Sequence, residues 1–472
     1  NLTHTDNLSG SSSRGPAEDG RIKPDICAVG SSVTSTGPEN IYFTISGTSM
    51  SCPGVSGTIA QLYEAYRDLN GGANPDAALI KSTLLNTAED LGNPGPDFRY
   101  GWGRINARQA YEGISNNQYI QGTISQGGSN NHTISVPAGV SELRIMTYWT
   151  DFEGSTSAAL ALVNDLNMVV TDPNSTVFNP WVLDPTPNAT ALNAPAVQGV
   201  DNINNMEQVT ISDPATGTYS IDIDGFAVPQ GPQNYYVVYY FVMDGVTVTY
   251  PIGGEGISGG TIVRWDASEG TTDFDLEYTL DDGGSWSPIG TANADSRYYS
   301  WNVPSAVSGL AKVRVTRGGS TEESDAVFSV INNPKGLQFD WVCPDSAKFS
   351  WYRVSCATAY EVSMLGIKYM VSLTTTSATE VVLPLPSTND GWFSVRALGP
   401  DNARGERAIA IQKPANEFGC LWSAPVAGFS VDCPEAGTGH CFDIIDESVN
   451  TDGSSAYTWY FPGGTPSTST NP

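Results

Sequence analysis

Apolar residues recur at helical spacing in the first quarter of the chain. Intervals of three or four residues separate Val55, Ile59, Leu62 and Tyr66. This spacing places them on one face of a helix, whereas a strand would show alternation at every second residue. The pattern predicts a helix over residues 49–68 with one apolar side.

Two more helices are predicted after the first. Pro75 and Asp76 open the stretch "PDAALIKSTLLNTAEDLG" and Gly92 closes it, which predicts a helix over residues 75–91. A third, short helix is expected over residues 106–113. The stretch "IKPDICAVG", which precedes all three, has the character of a strand. The first quarter of the chain is therefore predicted to be an α/β segment.

From about residue 118 the pattern changes to short β-type runs separated by Gly, Pro, Asn and Asp. Runs such as "ELRIMTYW", "LNMVVTD" and "NYYVVYYFV" are typical of β sandwiches and jelly rolls. Breaks near residues 244–250, 332–336 and 413–419 divide the chain further. The pattern predicts an α/β segment at 1–117 and β modules at 118–244, 246–331, 334–416 and 421–472.

The charge balance narrows the classes of function. The 472 residues include 22 Lys and Arg against 50 Asp and Glu, a net charge of −28. Binding to nucleic acid or to an anionic membrane needs a basic surface, so neither is expected. The acidity suits an extracellular or cell-surface setting, and it would also suit calcium, which prefers carboxylate and carbonyl oxygens. No apolar run approaches the ~20 residues of a membrane span.

Seven cysteines are few for this length, and the odd number leaves at least one unpaired. Cys27 and Cys52 lie in apolar segments and are expected to be buried free thiols. Cys433 and Cys441 are separated by a Gly-containing turn and could form a disulfide in an oxidising compartment. The chain opens with Asn, without a signal-peptide pattern, so we expect a processing site or the edge of a longer protein.

Ser49 has the setting of a nucleophile. Acyl transfer needs an activated nucleophile and N–H donors directed at the oxyanion. A serine in the first turn of a helix supplies its hydroxyl and its backbone N–H, and the helix dipole favours negative charge there. Gly47 permits a tight approach, and Pro53 is expected in the opening turn. The alternative is that Ser49 caps the helix, and both roles are compatible.

Three segments resemble the subtilisin-like serine proteases, or subtilases. "GTSMSCPGVSG" (47–57) resembles their nucleophile motif, with Ser49 at the position of the nucleophile. "SSSRGPAEDGRIKPDICAVG" (11–30) resembles the preceding segment, except that Val29 replaces the usual Pro. "YGWGRINARQAYEGI" (100–114) resembles the turn and helix that end the catalytic domain. The resemblance implies the C-terminal part of a parallel-sheet peptidase domain, with the Ser49 N–H in the oxyanion hole.

The other catalytic residues of subtilases do not match this chain. The family's Asp, His and oxyanion Asn precede the nucleophile, and no His-Gly-Thr motif is present here. His4, His132 and His440 lie in other settings, and the resemblance makes Asp25 structural. Without a base, Ser49 would remain an ordinary alcohol. We therefore expect this polypeptide to be inactive alone and the complete protein to be active.

Residues 118–243 resemble the jelly-roll domain that follows the catalytic domain in some secreted subtilases. The likeness lies in "YWTD", "LVNDLNMVVTDPN" and "DNINNMEQV". Such domains are similar to calcium-binding, stabilising modules. The candidate oxygen ligands are Asp151, Asp165, Asp201, Asn204 and Glu207. For any one of them, capping of a turn at a strand end is the preferred interpretation.

The remaining β modules have their own resemblances. The module at 246–331 is expected to be an Ig-like sandwich, and its "TLDDGGSW" (279–286) resembles an Asp-box turn with a structural role. Residues 334–413 are similar to a fibronectin type III domain. "YTWYFPGGTPSTSTNP" (457–472) resembles the middle of a PKD domain. Proteins or carbohydrate are the ligands to be considered for these modules.

The leading hypothesis is a secreted serine endopeptidase that acts on protein or peptide substrates, with no catalytic cofactor and calcium as a structural ion. The alternative is an adhesive or matrix-binding protein whose subtilase segment is catalytically dead. A sedolisin-type peptidase is a weaker third hypothesis, because "GTSM" and "RIKPDI" fit subtilases better. Substrate preference and oligomeric state are not determined by these residues.

Overall fold

The computed structural model describes residues 1–38, 41–385 and 391–413, and beyond these the stretches 420–422, 429–431, 444–446, 458–460 and 468–469. They belong to two compact units, Asn1–Asp244 and Gly245–Pro472. Among the described residues, no helix combines the length and apolar character needed to cross a bilayer.

The first unit begins with the α/β segment. Its elements are β1 (Val33–Thr36), β2 (Tyr42–Ile45), α1 (Thr48–Leu69), α2 (Ala77–Asn86) and α3 (Ala107–Ser115). The predictions of the first and third helices are confirmed. The second helix is shorter than predicted, because it ends at Asn86 and Gly92 lies beyond it in a loop with a φ of +92°. Asn106 caps α3, its side chain accepting a hydrogen bond from the Gln109 N–H at 3.0 Å.

The resemblance predicted part of a parallel sheet, and the α/β segment contains parallel pairing only as isolated bridges among its described residues. Leu2 pairs with Val29 and Cys27 pairs with Arg104, both in parallel orientation. The two regular strands, β1 and β2, form an antiparallel hairpin instead. The strand-like stretch around Cys27 therefore runs beside other segments of the chain without forming a regular strand.

A β sandwich completes the first unit. One sheet has the strand order β10-β5-β12-β3, and the other has the order β4-β11-β6-β7. The small pair β8 and β9 and the short helix α4 (Ala189–Leu192) lie between the larger strands in sequence. The strands are β3 (Tyr119–Ile124), β4 (Ser129–Val136), β5 (Val140–Tyr148), β6 (Asp165–Thr171), β7 (Val177–Phe178), β8 (Trp181–Val182), β9 (Val197–Gln198), β10 (Met206–Ser212), β11 (Gly217–Ala227) and β12 (Gln233–Met243).

The alternation of apolar residues along these strands produces the sandwich core. Leu143 and Ile145 on β5, Val170 on β6 and Val237 on β12 are buried completely. On the other face of β5, Tyr148 pairs with Tyr236 of β12 and with Met206 of β10. This second face is also apolar because it contacts the α/β segment.

A shared apolar cluster joins the helices to the sandwich. Leu79, Phe98 and Trp102 of the α/β segment pack with Met146 and Met206 of the sheet. The Trp102 indole N–H lies 3.2 Å from the Met206 sulfur. The sandwich is thus an integral part of the unit that positions α1.

The second unit contains a sandwich that begins at Val246. Its sheets have the orders β13-β15-β18 and β14-β21-β19-β16-β17, with β20 beside β19. Trp265 and Trp301 are buried in its core. The strands are β13 (Val246–Tyr250), β14 (Gly256–Ile257), β15 (Gly260–Ala267), β16 (Phe274–Thr279), β17 (Ser287–Ala292), β18 (Tyr298–Asn302), β19 (Ser308–Arg317), β20 (Ser320–Glu323) and β21 (Phe328–Val330).

A further sandwich follows, with sheet orders β26-β23-β22-β30 and β25-β24-β27-β28, the last with β29 beside β27. Trp351 and Tyr360 lie in its core, with ring centroids 5.4 Å apart. The strands are β22 (Gln338–Val342), β23 (Ser346–Ser350), β24 (Ala359–Leu365), β25 (Met370–Thr376), β26 (Glu380–Pro384), β27 (Trp392–Leu398), β28 (Arg404–Arg407), β29 (Ile411–Gln412) and β30 (Leu421–Trp422).

Past this sandwich the structure describes the pairs β31 (Phe429–Val431) with β32 (Ile444–Asp446) and β33 (Trp459–Tyr460) with β34 (Thr468–Ser469). Cys433, Cys441, His440 and most of the PKD-like sequence lie outside the described residues.

The cysteines differ in part from expectation. Cys343 and Cys420 form a disulfide that joins residues 77 positions apart in sequence. Cys27 is a buried free thiol, as predicted, and burial raises its pKa. The prediction for Cys52 is wrong, because its thiol is free but exposed on α1. In this chain the face of α1 that includes Cys52 is not covered by other described residues.

Candidate active site

Ser49 lies at the amino end of α1, the 22-residue helix that the apolar spacing predicted. Its side chain is exposed to solvent. The helix begins at Thr48 and Gly47 is the N-cap, so the interpretation of Ser49 as the cap is wrong. Pro53 is the sixth helical residue and lies beyond the opening turn where it was expected. Since proline has no N–H, it cannot donate to the Ser49 carbonyl four residues earlier.

No side-chain cap accepts a hydrogen bond from the N-terminal amides of α1. Gly47 has no side chain to accept from them, and no cap hydrogen bond of that kind forms in α1. The first amides of a helix have no partner within the helix, and the dipole makes this end positive. The Ser49 N–H is therefore directed at a site that can stabilise an anion.

Close packing with the segment around Gly30 fixes this end of the helix. The Ser51 hydroxyl donates to the Ala28 carbonyl at 3.0 Å, and the Gly47 N–H donates to the Gly30 carbonyl at 2.8 Å. A Cβ on Gly30 would lie 2.1 Å from the Ser51 Oγ and 2.6 Å from the Gly47 carbonyl oxygen. Glycine at position 30 is thus required for the approach, a contact that sequence analysis did not identify.

The two histidines among the described residues, His4 and His132, contact other groups. His4 is on an exposed loop with Nε2 3.5 Å from the Ser32 carbonyl oxygen. His132 lies on β4, with Nε2 2.7 Å from the Tyr235 hydroxyl, and burial lowers its pKa. Neither position offers the general base that activation of a serine requires.

Asp25 is held by two lysines. Its carboxylate accepts from Lys23 at 2.7 Å and pairs with Lys81 at 3.2 Å. Burial alone would raise the pKa of Asp25, but the lysines outweigh it and hold that pKa below its ordinary value. Lys81 belongs to α2, so this ion pair ties the "KPD" segment to the helix, in line with the structural role expected for Asp25.

In three of the five predicted calcium ligands, every side-chain oxygen accepts a hydrogen bond from an N–H donor. Asp151 accepts from the backbone N–H groups of residues 163 and 164 at 2.7 and 2.9 Å. Asp201 accepts from the Asn204 backbone at 3.0 Å and from its side chain at 2.7 Å. The Asn204 Oδ1 accepts from the Ile22 N–H at 2.9 Å and so links the sandwich to the α/β segment. These hydrogen bonds agree with a structural role for Asp151, Asp201 and Asn204, the interpretation preferred from the sequence.

Asp165 and Glu207 are different, because each has a buried carboxylate oxygen without a hydrogen bond. Glu207 is 1 % exposed, and its other oxygen accepts from the Met168 N–H at 2.5 Å. Burial, together with the nearby Asp201 and Asp165 carboxylates, raises the pKa of Glu207 well above its ordinary value. Burial also raises the pKa of Asp165 to about 6, with Asp201 and Asp151 adding to the effect.

These acidic side chains do not amount to a formed metal centre. In the part of the chain that the structure describes, no three or more His, Cys, Asp and Glu side chains are grouped so as to hold a metal ion. A cation at Asp165 and Glu207 would need further oxygens. Two residues after Asp165, the Asn167 Oδ1 is also buried without a hydrogen bond.

The "TLDDGGSW" turn has a structural role. The Asp281 carboxylate accepts from the Ser285 N–H at 2.9 Å and from the Thr279 hydroxyl at 2.5 Å. These hydrogen bonds lower the pKa of Asp281 to about 2. The Arg314 guanidinium lies 4.2 Å from the centroid of the Trp286 ring. The aspartate thus closes the turn, and the tryptophan covers the arginine.

Sequence analysis missed one cavity in the first unit. It has a volume of about 600 Å³ and lies between the start of α2 and the sandwich, beside Asp76, Phe152, Glu153 and Tyr236. The Tyr236 hydroxyl donates to Asp76 at 2.6 Å, and burial together with this carboxylate raises the pKa of Tyr236. Ser49 is not among the lining residues, so the cavity is separate from the candidate nucleophile.

Comparisons with known proteins match the first segment. Residues 2–103 match the Subtilase family. "Subtilisin-like protease SBT1.2" of Arabidopsis thaliana is 35% identical over 124 residues, which are 21% of this chain and 15% of that protein. "Subtilisin DY" of Bacillus licheniformis is 37% identical over 86 residues, 18% of this chain and 28% of that protein.

A longer match extends into the sandwich. "Serine protease/ABC transporter B family protein tagA" of Dictyostelium discoideum is 26% identical over 265 residues, 48% of this chain and 15% of that protein. This chain thus spans less than a third of each of these relatives. Among solved structures, a two-domain fibronectin type III segment of chicken tenascin has 17% identity and a TM-score of 0.23, covering 38% of this chain and 98% of that one.

Proposed function

We propose that residues 2–103, which match the Subtilase family, are part of a peptidase domain, and that the chain is part of a secreted serine endopeptidase in which Ser49 is the nucleophile. The observation that supports this role is the position of Ser49, exposed in the first turn of α1 beside amides that no side chain caps. The same turn includes both the hydroxyl and the backbone N–H that the proposed acyl transfer would use.

In the proposed reaction the Ser49 Oγ attacks a peptide carbonyl carbon. The hydroxyl proton passes to a general base, the oxyanion accepts from the Ser49 N–H, and collapse breaks the C–N bond as the base protonates the amine. Water then hydrolyses the ester by the same steps. The base and its orienting carboxylate would come from sequence that precedes this chain in the complete protein. In subtilisin, loss of the serine or the histidine lowers kcat by about 10⁶-fold, so the chain alone should be inactive.

The test compares two proteins. One is this chain alone, and the other is the complete protein encoded by the reading frame extended upstream. A fluorophosphonate probe should label the complete protein at Ser49, and Ser49→Ala should abolish both labelling and peptide hydrolysis. Ser56→Ala is the matched control, because Ser56 is an exposed serine on the same helix. It should retain labelling. This chain alone should show no labelling above the Ser49→Ala background.

The alternative is an adhesive protein in which the β modules act and the subtilase segment is dead. It predicts that the complete protein is not labelled and that the upstream sequence contains no Asp-Thr/Ser-Gly and His-Gly-Thr motifs. Absence of both motifs would exclude the protease proposal directly. Their presence together with Ser49-dependent labelling would exclude the adhesive one as the main function.

We also propose that a calcium ion binds at Asp165 and Glu207 and stabilises the first sandwich. The support is the pair of buried carboxylate oxygens without hydrogen bonds, which an ion with oxygen ligands would satisfy. Asp151, Asp201 and Asn204, also predicted as ligands, would instead orient the surrounding loops. Calcium should raise the unfolding temperature of the wild-type chain, and Glu207→Gln should remove that response. An equal response in both proteins would place the ion elsewhere.

An extracellular or cell-surface location is proposed on two grounds. The net charge of −28 and the disulfide between Cys343 and Cys420 suit an oxidising, salt-containing environment. The relatives include a protein named "Neisserial autotransporter lipoprotein NalP" of Neisseria meningitidis, 39% identical over 69 residues that are 15% of this chain and 6% of that protein. Fractionation of the native host with an antibody to the β modules would test this location.

A further inference from the structure

The cavity beside the start of α2, the α2 cavity, has an acidic lining. Asp76, Asp151 and Glu153 contribute to it, and none of its described lining residues is Lys, Arg or His. Arg21 lies near Glu153 but outside the cavity, and Asp19 holds its guanidinium at 2.7 Å. The volume of about 600 Å³ is in the range of cavities that bind organic ligands. An occupant that complements this lining is positively charged.

Two of the three carboxylates have oxygens available to an occupant. Both Asp151 oxygens already accept from backbone N–H groups, at 2.7 and 2.9 Å. One Asp76 oxygen accepts from the Tyr236 hydroxyl at 2.6 Å. Within the described part of the chain, the other Asp76 oxygen and the whole Glu153 carboxylate have no hydrogen bond or ion pair. Asp76 and Glu153 are therefore the two groups that can receive donors from a ligand.

Asp76 is fixed on the cavity lining by the sandwich. It is the N-cap of α2, where an aspartate usually accepts from the first amides of the helix. No such hydrogen bond forms at this helix, because the carboxylate is bonded to Tyr236 of β12 instead. The next two residues, Ala77 and Ala78, also line the cavity, and their small side chains leave it open. The carboxylate is thus held beside the cavity rather than closing its own helix.

A guanidinium group fits this lining better than a metal ion does. In the described ranges, no three or more His, Cys, Asp and Glu side chains are grouped so as to hold a metal ion. Phe152, whose side chain is 46 % exposed, adds an aromatic ring to the lining. A guanidinium stacks on such a ring and donates two parallel hydrogen bonds to a carboxylate. An ammonium group is more strongly hydrated and lacks this planar pair of donors.

Two exposed amides in the lining suit the backbone of a peptide. Gln121 of β3 has a side chain without a hydrogen bond to any described residue. The Asn234 Oδ1 accepts from the Thr123 hydroxyl at 2.7 Å, which leaves its NH₂ group as a donor. A peptide that enters the cavity has N–H and C=O groups that need such partners. The lining therefore favours an arginine within a peptide over a free guanidinium ion.

We propose that the α2 cavity binds an arginine side chain of an extended peptide segment. The guanidinium would lie between the Asp76 and Glu153 carboxylates and against the Phe152 ring, with the peptide backbone beside Gln121 and Asn234. This inference does not depend on the proposed peptidase activity, because Ser49 does not line the cavity.

Isothermal titration calorimetry of this chain with the peptide acetyl-Ser-Arg-Ser-amide tests the proposal. The titration uses about 0.15 M salt, which screens the general attraction of a cation to an acidic protein. The same peptide with citrulline in place of arginine keeps the shape and loses the charge, and it should bind at least about tenfold more weakly. A peptide with lysine should also bind more weakly than the arginine peptide.

Variants of the carboxylates locate the site. Glu153→Gln should raise the dissociation constant of the arginine peptide by about fivefold or more. Asp76→Asn should also raise it, because the amide oxygen can still accept from Tyr236 but has no charge. Glu64→Gln is the matched control, since Glu64 is an exposed glutamate on α1 that does not line the cavity and the change in charge is identical. It should leave the dissociation constant unchanged.

A second pair of variants tests the aromatic contact. Phe152→Leu keeps an apolar side chain and removes the ring, so it should weaken the arginine peptide by about threefold. Phe226→Leu on β11 is the control, because Phe226 is 62 % exposed and does not line the cavity. Circular dichroism of every variant shows whether it retains the wild-type fold.

Three outcomes would overturn the proposal. One is a wild-type chain that does not bind the arginine peptide at millimolar concentration. Another is equal binding of the arginine and citrulline peptides, which would show that the charge is not recognised. The third is a Glu64→Gln variant that weakens binding as much as Glu153→Gln does, which would mean that the peptide responds only to the net charge of the protein.

Discussion

The first sandwich should lose stability as the pH rises through the range in which Asp165 ionises. Asp165 is 8 % exposed and one of its oxygens has no hydrogen bond. Burial and the neighbouring Asp201 and Asp151 raise its pKa from 3.8 to about 6. A carboxyl group whose pKa is higher in the folded state binds its proton more tightly there. Its contribution is therefore fully present below about pH 4 and is lost as the pH rises through about 6.

The size of the effect follows from the shift. A difference of about two pKa units corresponds to about 3 kcal/mol of unfolding free energy, lost between about pH 4 and pH 7 when no cation is bound. Asp165→Asn removes the ionisation and keeps the shape of the side chain. The variant should resemble the wild type at pH 4 and be more stable by about 2–3 kcal/mol at pH 7 in the presence of a chelator.

The assay is urea unfolding read by hydrogen exchange of peptides from β6 and β11. A local readout is needed because the chain has several modules, and a global signal would mix their transitions. Asp184→Asn is the control for the direction of the pH dependence, because the pKa of Asp184 is shifted in the opposite direction. Hydrogen bonds from Thr186 lower the pKa of Asp184, so its contribution is lost as the pH falls. If the free-energy difference between wild type and Asp165→Asn is the same at pH 4 and pH 7, the assignment of the buried charge is refuted.

Further predictions concern packing and the disulfide. Trp102→Ala should destabilise the first unit by about 3–5 kcal/mol in the same exchange assay, because it opens a cavity in the cluster shared by the helices and the sandwich. Gly30→Ala should lower the unfolding temperature, whereas Gly54→Ala should not, since a Cβ at Gly30 would overlap its neighbours and one at Gly54 would meet no atom within 4 Å. Reduction of the disulfide between Cys343 and Cys420 should destabilise the sandwich around β22 by about 2–4 kcal/mol, measured with and without dithiothreitol. A Cys343→Ser variant should then no longer respond to the reductant.

Local sequence patterns predicted the elements that depend on neighbouring residues. The three- and four-residue spacing of apolar residues gave α1 nearly to its ends, because helical hydrogen bonds and faces are set within a few turns. The same reasoning overextended α2, since "TAEDLG" continues the spacing but lies in the loop that approaches the sandwich. There the Arg144 side chain donates to the Ala88 carbonyl at 2.7 Å, a contact between residues 56 positions apart that no local pattern reports.

The candidate site was likewise predictable where it depends on consecutive residues and not where it depends on contacts between distant segments. The motif around Ser49 predicts a nucleophile because the residues that carry the resemblance are consecutive in the sequence. The role of Gly30 was not predictable, because its contacts with Gly47 and Ser51 join segments separated in sequence. Cys52 was predicted to be buried and is exposed, for a related reason. Exposure depends on what packs against the helix, and an apolar segment does not specify its partner.

The sequence by itself determined the α/β or β character of the segments, the subtilase likeness of the first, and the position of the candidate nucleophile, Ser49. Only the tertiary structure decided which carboxylates are already satisfied and which are not. Asp201 and Asp165 look alike in sequence, yet one accepts amide hydrogens and the other has a buried oxygen without a partner. The physical reason is distance along the chain. The hydrogen bond from Ile22 to Asn204 spans 182 residues, and only folding brings such groups together.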